Sequence, residues 1–263
     1  MGSDLAKYIV WKVILDSVEG TSHKKEILGC QDACACAQIN SPLGPALCIV
    51  CSDGAGSAKY AATASQYSCQ YMLNKLTDYF GDGHSISELT KETALGWLTS
   101  LRTYLTETAQ SMNSPADDYA CTLLVAVIAW NGSIFMQIGD GAIIRLEGSE
   151  YKPVFWPETG EYVNTTFFVT SPTLEERLNY FSCLEPIDEL ALFTDGLQML
   201  SLDFVKRQAH QPFFTPLFQR LRGDDTADTL NPLLSDFLKS DKVNARTDDD
   251  KTLILAVRSA GSV

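Results

Sequence analysis

The chain predicts an α+β fold, and three observations carry the prediction. Short apolar runs bounded by turn residues arrive in neighbouring groups, as antiparallel strands do. Long stretches of helical period come in pairs, and no regular strand–helix–strand alternation joins the two kinds of segment.

The elements follow in order. Tyr8 to Ser17 is rich in Val and Ile and reads as a strand, closed by Glu19-Gly20-Thr21. Asp32 to Ile39 and Ala46 to Cys51 are the next two strands, parted by Asn40-Ser41-Pro42. From Ala58 to Leu76 the period changes to helical, with Ala61, Ala64, Ser68, Met72 and Leu76 on one small-residue face suited to lying close on a sheet. Gly81-Asp82-Gly83 ends it, and a second helix runs from about Ser87 to Met112. Three strands come next: Ala120 to Trp130, Ser133 to Ile138 and Ala142 to Leu146. Asn131-Gly132 predicts a type I′ hairpin between the first two. Residues from about 148 to 187 show no clean period and form an irregular excursion able to flank a site. Asp188 to Phe193 resumes the sheet. Helical segments from Leu202 to Leu238, interrupted at Pro212 and Pro216, precede a last strand, Thr252 to Val257. One domain spanning 1–263 is the simplest organisation.

Composition narrows the partners. A net charge of −13 argues against nucleic acid, whose phosphates need a basic footprint, and against anionic membranes. The longest apolar run, Cys121 to Trp130, suits a core strand and not a membrane span. No basic region followed by an apolar stretch marks a secretion leader, and Ala6 breaks the acylation pattern that Met1-Gly2 begins. Of the 8 cysteines, Cys48, Cys51 and Cys121 lie inside apolar runs, and Cys48 and Cys51 are spaced to point to opposite faces of one strand. Neither zinc nor disulfide chemistry is expected, and a reducing cytoplasm is.

Four aspartates stand at the ends of strand candidates: Asp53, Asp140, Asp195 and, just before the last strand, Asp249. Strands that share a sheet can bring such carboxylates to one edge, where only a cation relieves their repulsion; oxygen ligands suit Mg²⁺ or Mn²⁺. Each Asp-Gly is also a turn signal, and Asp140-Gly141, followed at once by a strand, reads alone as a hairpin turn. Asp82-Gly83 follows a helix and reads as a plain loop. Asp248-x-Asp250-x-Thr252 matches an aspartyl-phosphate pattern, but it precedes the last strand with no room for the doubly wound domain that chemistry needs. No cysteine has the Arg six positions on that a thiolate phosphatase requires, and three histidines (His23, His84, His210) are too few for a histidine-rich metallohydrolase. His23 reads either as a surface residue beside Lys24 and Lys25 or as a group that holds phosphate or donates a proton.

The ordered set Gln31-Asp32, Ser52-Asp53-Gly54, Cys121-Thr122, Gly139-Asp140-Gly141, Thr194-Asp195-Gly196 and Asp249-Asp250-Lys251-Thr252 resembles the protein phosphatase 2C family, in its bacterial branch. The string Gly160 to Phe167 shares that likeness. The resemblance implies two face-to-face antiparallel sheets with a helix pair on each outer side, an αββα sandwich. It implies that Asp53 bridges two Mn²⁺ or Mg²⁺ ions, with the Gly54 carbonyl on one and Asp195 and Asp249 completing the other. Asp140 would hold a third, weaker ion, and Asp32 would orient the attacking water. The implied activity is hydrolysis of phosphoserine and phosphothreonine in phosphorylated proteins by a metal-bridging hydroxide. Three departures stand out: Gln31 replaces a Glu, Ile27 a phosphate-binding Arg, and Asp250 an Asn. The first two motivate an alternative, a catalytically inactive module that binds phosphoproteins. Oligomeric state is open.

Overall fold

The computed structural model describes residues 9–157 and 166–260, and its twelve labelled strands build two five-stranded antiparallel sheets and one short ribbon. The first sheet orders β1 (Ile9–Val18), β12 (Lys251–Ala260), β9 (Glu189–Phe193), β6 (Ala142–Glu147) and β7 (Glu150–Pro153). The second orders β2 (Asp32–Ser41), β3 (Gly44–Asp53), β4 (Leu123–Ala129), β5 (Gly132–Ile138) and β8 (Asn179–Cys183).

Inner strands are buried on both faces, so their sequences run apolar instead of alternating. In β3, Leu47, Ile49 and Cys51 enter the interior shared by the two sheets, whereas Cys48 and Val50 face the helices outside. Cys48 and Cys51 therefore diverge as their spacing predicts. From the opposite sheet β12 places Ile254 and Ala256 in the same interior and Leu253, Leu255 and Val257 outward. Each fully buried aliphatic side chain contributes roughly 1.5–3 kcal/mol.

The outer layers are helical. α2 (Ala61–Gly81) and α3 (Lys91–Ser111) cover the second sheet, α2 burying Ala61, Ala64, Ser68, Met72 and Leu76. Ala and Ser in that row let its axis come close to the strands. α6 (Gln211–Arg222) and α7 (Ala227–Leu238) cover the first sheet through Phe214, Phe218, Leu221, Leu230 and Leu234. Pro212 occupies the first turn of α6, where its missing N–H costs nothing; Pro216 lies inside the same helix and does not end it. The four layers are those of the αββα sandwich expected above.

Several local expectations are corrected. β4 and β5 form the hairpin, with Ala129 opposite Gly132, but the loop is Trp130-Asn131 and neither residue has positive φ, so the turn is not type I′. Asp140 is not in a hairpin turn: β5 and β6 belong to different sheets, and Gly139-Asp140-Gly141 carries the chain across. Gly139 has φ of +99°, and a Cβ there would lie 2.6 Å from Thr122 Cγ2, so only glycine makes the crossing. The excursion is not wholly irregular, since it contains β7, the short helix α4 (Leu174–Arg177) and the edge strand β8. Gly160 to Thr165, most of the string singled out there, lie outside the described residues. The stretch after β9 opens with α5 (Gln198–Ser201) and the ribbon β10 (Leu202–Asp203) and β11 (Gln208–Ala209) before α6.

A carboxylate cleft at the junction of the two sheets

Asp53 ends β3, directly opposite Asp32 at the start of β2. Its backbone is fixed by the residue just ahead of β4, the neighbour of β3: Thr122 Oγ1 accepts from the Asp53 N–H (3.0 Å), and the Thr122 N–H donates to the Asp53 carbonyl (2.8 Å). Ser52 Oγ donates to the Thr122 carbonyl (2.6 Å), closing the clamp. Gly54 follows so tightly that a Cβ would meet the Ala61 carbonyl oxygen at 2.5 Å. From the other sheet Asp195 leaves β9 in a 3₁₀ turn (Asp195–Leu197), and Asp249 lies just ahead of β12.

These carboxylates share one cleft of about 330 Å³, bordered by Asp53, Gly54, Asp140, Asp195, Asp248 and Asp249, with His23, Ser22, Thr122 and Thr166 around them. A slightly larger cavity, about 370 Å³, lies beside β8 and is bordered by no Asp, Glu or His. The chemistry is in the smaller one.

The electrostatics of the cleft bear on the kind of ligand it suits. Burial first, then Asp32 and Asp195, push the Asp53 carboxyl well above its usual range. Burial and Asp140 raise Asp195, which lies close enough to Asp53 to share a proton with it. Burial also raises Asp140, although Thr166 Oγ1 donates to its Oδ2 at 2.6 Å. Asp195 Oδ1 is buried without a hydrogen-bond partner. Among the described residues no three or more His, Cys, Asp or Glu side chains are grouped closely enough to hold a metal ion as they stand. An all-oxygen set in which Asp53, Asp140 and Asp195 are raised, with one orphaned oxygen, fits hard divalent cations.

Asp32 stands behind Asp53. Its Oδ2 accepts from Thr194 Oγ1 (2.7 Å) and Thr252 Oγ1 (2.8 Å), while its Oδ1 is buried without a partner. Burial raises its pKa, partly offset by the two threonines. Ile27 turns away from the cleft: it is 90% exposed with φ of +58° and borders no part of it. Gln31 is buried, and its carbonyl accepts from the Gly54 N–H (3.2 Å) and Ser65 Oγ (2.5 Å).

Residues that the sequence names only as motif members, without a contact or role, complete the setting. Thr194 and Thr252 hold Asp32, and their only sequence mark is their place beside Asp195 and the acidic run. Lys251 is fully buried, with Nζ donating to Asn244 Oδ1 and the Asp249 carbonyl (both 3.1 Å); burial lowers its pKa. Asp250 anchors the segment that carries His23.

Comparison with known proteins bears on this geometry. The family model described as Protein phosphatase 2C matches residues 19–239. The chain is 36% identical over 255 residues to Serine/threonine-protein phosphatase 3 of Escherichia coli (strain K12), covering 94% of this chain and 98% of that protein. The serine/threonine phosphatase of S. agalactiae shares the fold with TM-score 0.63 at 18% identity, covering 95% of this chain and 99% of that one. The catalytic domain of serine threonine protein phosphatase PstP, in complex with 2 manganese ions, does so with TM-score 0.61 at 14% identity, covering 95% and 99%.

Proposed function

This chain belongs to the protein phosphatase 2C family, and we propose that it hydrolyses phosphoserine and phosphothreonine in proteins with the help of Mn²⁺ or Mg²⁺. The observation that carries the reading is the meeting of Asp53, Asp140, Asp195 and Asp249, drawn from both sheets, in one cleft. The manganese-bearing PstP domain and the E. coli phosphatase support it. Asp53, the Gly54 carbonyl, Asp195 and Asp249 would hold a pair of ions, and Asp140 a third. When bound, the ions supply Lewis acidity that makes water nucleophilic near neutral pH and offsets charge on the phosphoryl oxygens.

The chain's own groups do the rest. Asp32, fixed by Thr194 and Thr252 through one oxygen and unpartnered at the other, would orient the attacking water. Thr122 fixes the Asp53 backbone at the edge of the cleft. Among the described residues no cysteine borders the cleft, which supports direct attack by water over a phosphocysteine intermediate. All eight cysteines are free, which supports a reducing cytoplasmic setting.

The test is a phosphopeptide panel assayed with Mn²⁺, Mg²⁺ and chelator, alongside Asp53→Asn. Asp53→Asn is expected to lose on the order of 10²–10³-fold or more of Mn²⁺-dependent p-nitrophenyl phosphate hydrolysis while keeping its fold by circular dichroism. Undiminished turnover in that variant overturns the assignment. No turnover on any peptide together with no tight Mn²⁺ binding by calorimetry would favour the phosphoprotein-binding alternative.

A further inference from the structure

We infer that Asp250 and His23 form an acid–base dyad, His23 the catalytic residue that protonates the departing seryl or threonyl oxygen and Asp250 the residue that positions it. The inference rests on the phosphatase reading above. Asp250 is 2% exposed and accepts three hydrogen bonds from a segment 219 to 230 residues away. Its Oδ1 takes the Gly20 N–H (2.6 Å); its Oδ2 takes the Gln31 N–H (2.5 Å) and pairs with His23 Nδ1 (2.8 Å). Both ends of the segment carrying α1 (Thr21–Glu26) are thus tied to one carboxylate.

Three donors on one side chain explain why an aspartate is needed. An amide would turn its own NH₂ toward at least one of them, leaving N–H facing N–H in a buried place. A second clip holds the helix: the Asp248 carbonyl accepts from the Ser22 N–H (2.9 Å) and Ser22 Oγ (2.6 Å). The ring cannot turn over without breaking the Asp250 contact. With Nδ1 committed, Nε2 is the nitrogen left for the cleft, 3.9 Å from Asp249 Oδ1.

Among the described residues no Lys or Arg borders the cleft, and its carboxylates are the groups that would hold cations. A seryl alkoxide is a poor leaving group, so it needs a proton as it departs. In the step, water's oxygen bonds to phosphorus while the P–O(Ser) bond breaks and its electron pair goes to the seryl oxygen. That oxygen takes the proton from Nε2 of the imidazolium. The ring, neutral, keeps Nδ1–H on Asp250, and the proton shed by the attacking water restores the charged form. Phosphoserine and water become serine and phosphate.

Leaving-group dependence tests this, because p-nitrophenolate departs readily without a proton. With saturating Mn²⁺, His23→Ala should lose ~10²–10⁴-fold in kcat on a phosphoserine peptide. Its loss on p-nitrophenyl phosphate should stay within about tenfold, since general-acid help adds little there. Added imidazole should restore part of the peptide activity. Asp250→Asn should show the same substrate-dependent loss without rescue, and calorimetric Mn²⁺ affinity should hold in both variants. If Asp250→Asn does not fold, His23→Ala and its rescue decide alone. Equal losses on both substrates, or Mn²⁺ affinity lost in His23→Ala, overturn the dyad while leaving the phosphatase reading standing. Wild-type protein inert to both substrates sinks that reading and the dyad with it.

Discussion

Asp32 shows how single side chains trade stability for chemistry. One oxygen is bound by two threonines, the other has no partner, and burial holds the pKa above the usual carboxylate range. A carboxyl raised in the folded state gives its full stability below its unfolded pKa and loses it as pH rises through the folded value. Near pH 7.5 the charged form therefore costs stability. Asp32→Asn should raise the melting temperature in chelator by about 2–4 °C, the shift for roughly 1 kcal/mol in a chain of this size. The same change should lower kcat on the order of 10²-fold. A variant that melts lower and turns over normally would contradict both assignments. Asp53, Asp140, Asp195 and Asp249 were legible because each adjoins an apolar strand. Asp250, Thr194 and Thr252 were not, for their partners lie 58 to 230 residues away and no spacing rule reaches that far.

Elements that bury both faces were the easiest to read. β3 and β12 announce themselves as unbroken apolar runs, and α2 by its row of small residues. β7 and β8 were missed because edge strands bury little and alternate weakly. The Asp140 crossing imitates a hairpin, since Gly-Asp-Gly serves any sharp reversal. The last turn of α1 holds the most evident local strain: Ile27, a β-branched residue, caps the helix in the left-handed region while 90% exposed. Ile27→Gly removes a Cβ clash and almost no packing. It should stabilise the chain by about 0.5–1 kcal/mol after the added freedom of the unfolded state is counted. The urea midpoint at constant m reads this, and a fall in midpoint would show that Ile27 makes contacts the fold depends on.

At the scale of the whole molecule, the proposed metal centre predicts that ions and protons govern stability together. Cations bound only by the folded state should add about 2.7 kcal/mol for each site at a hundredfold excess over Kd. Thermal melting in Mn²⁺ should then exceed that in chelator by several degrees, and Asp53→Asn should erase the difference; coincident curves for the wild type count against the metal centre. Alkaline pH acts through the cysteines. Burial raises all eight thiols, Cys34 to about 11. Groups raised on folding keep their stabilising effect below the ordinary thiol value and lose it above, so melting temperature should fall as pH climbs from 9.0 toward 11. Alkylation by iodoacetamide at pH 8, followed by mass spectrometry, should spare the native thiols and label all eight in urea.

Asp32 and Asp53 precede the exposed bend at Met112 and Asn113, whereas Asp140, Asp195 and Asp249 follow it. Cutting the chain at that bend would yield two fragments, neither of which carries a full set of chelating groups. Their reunion would regenerate manganese retention in a single event, so the severed protein becomes a two-piece reporter whose output is a captured ion.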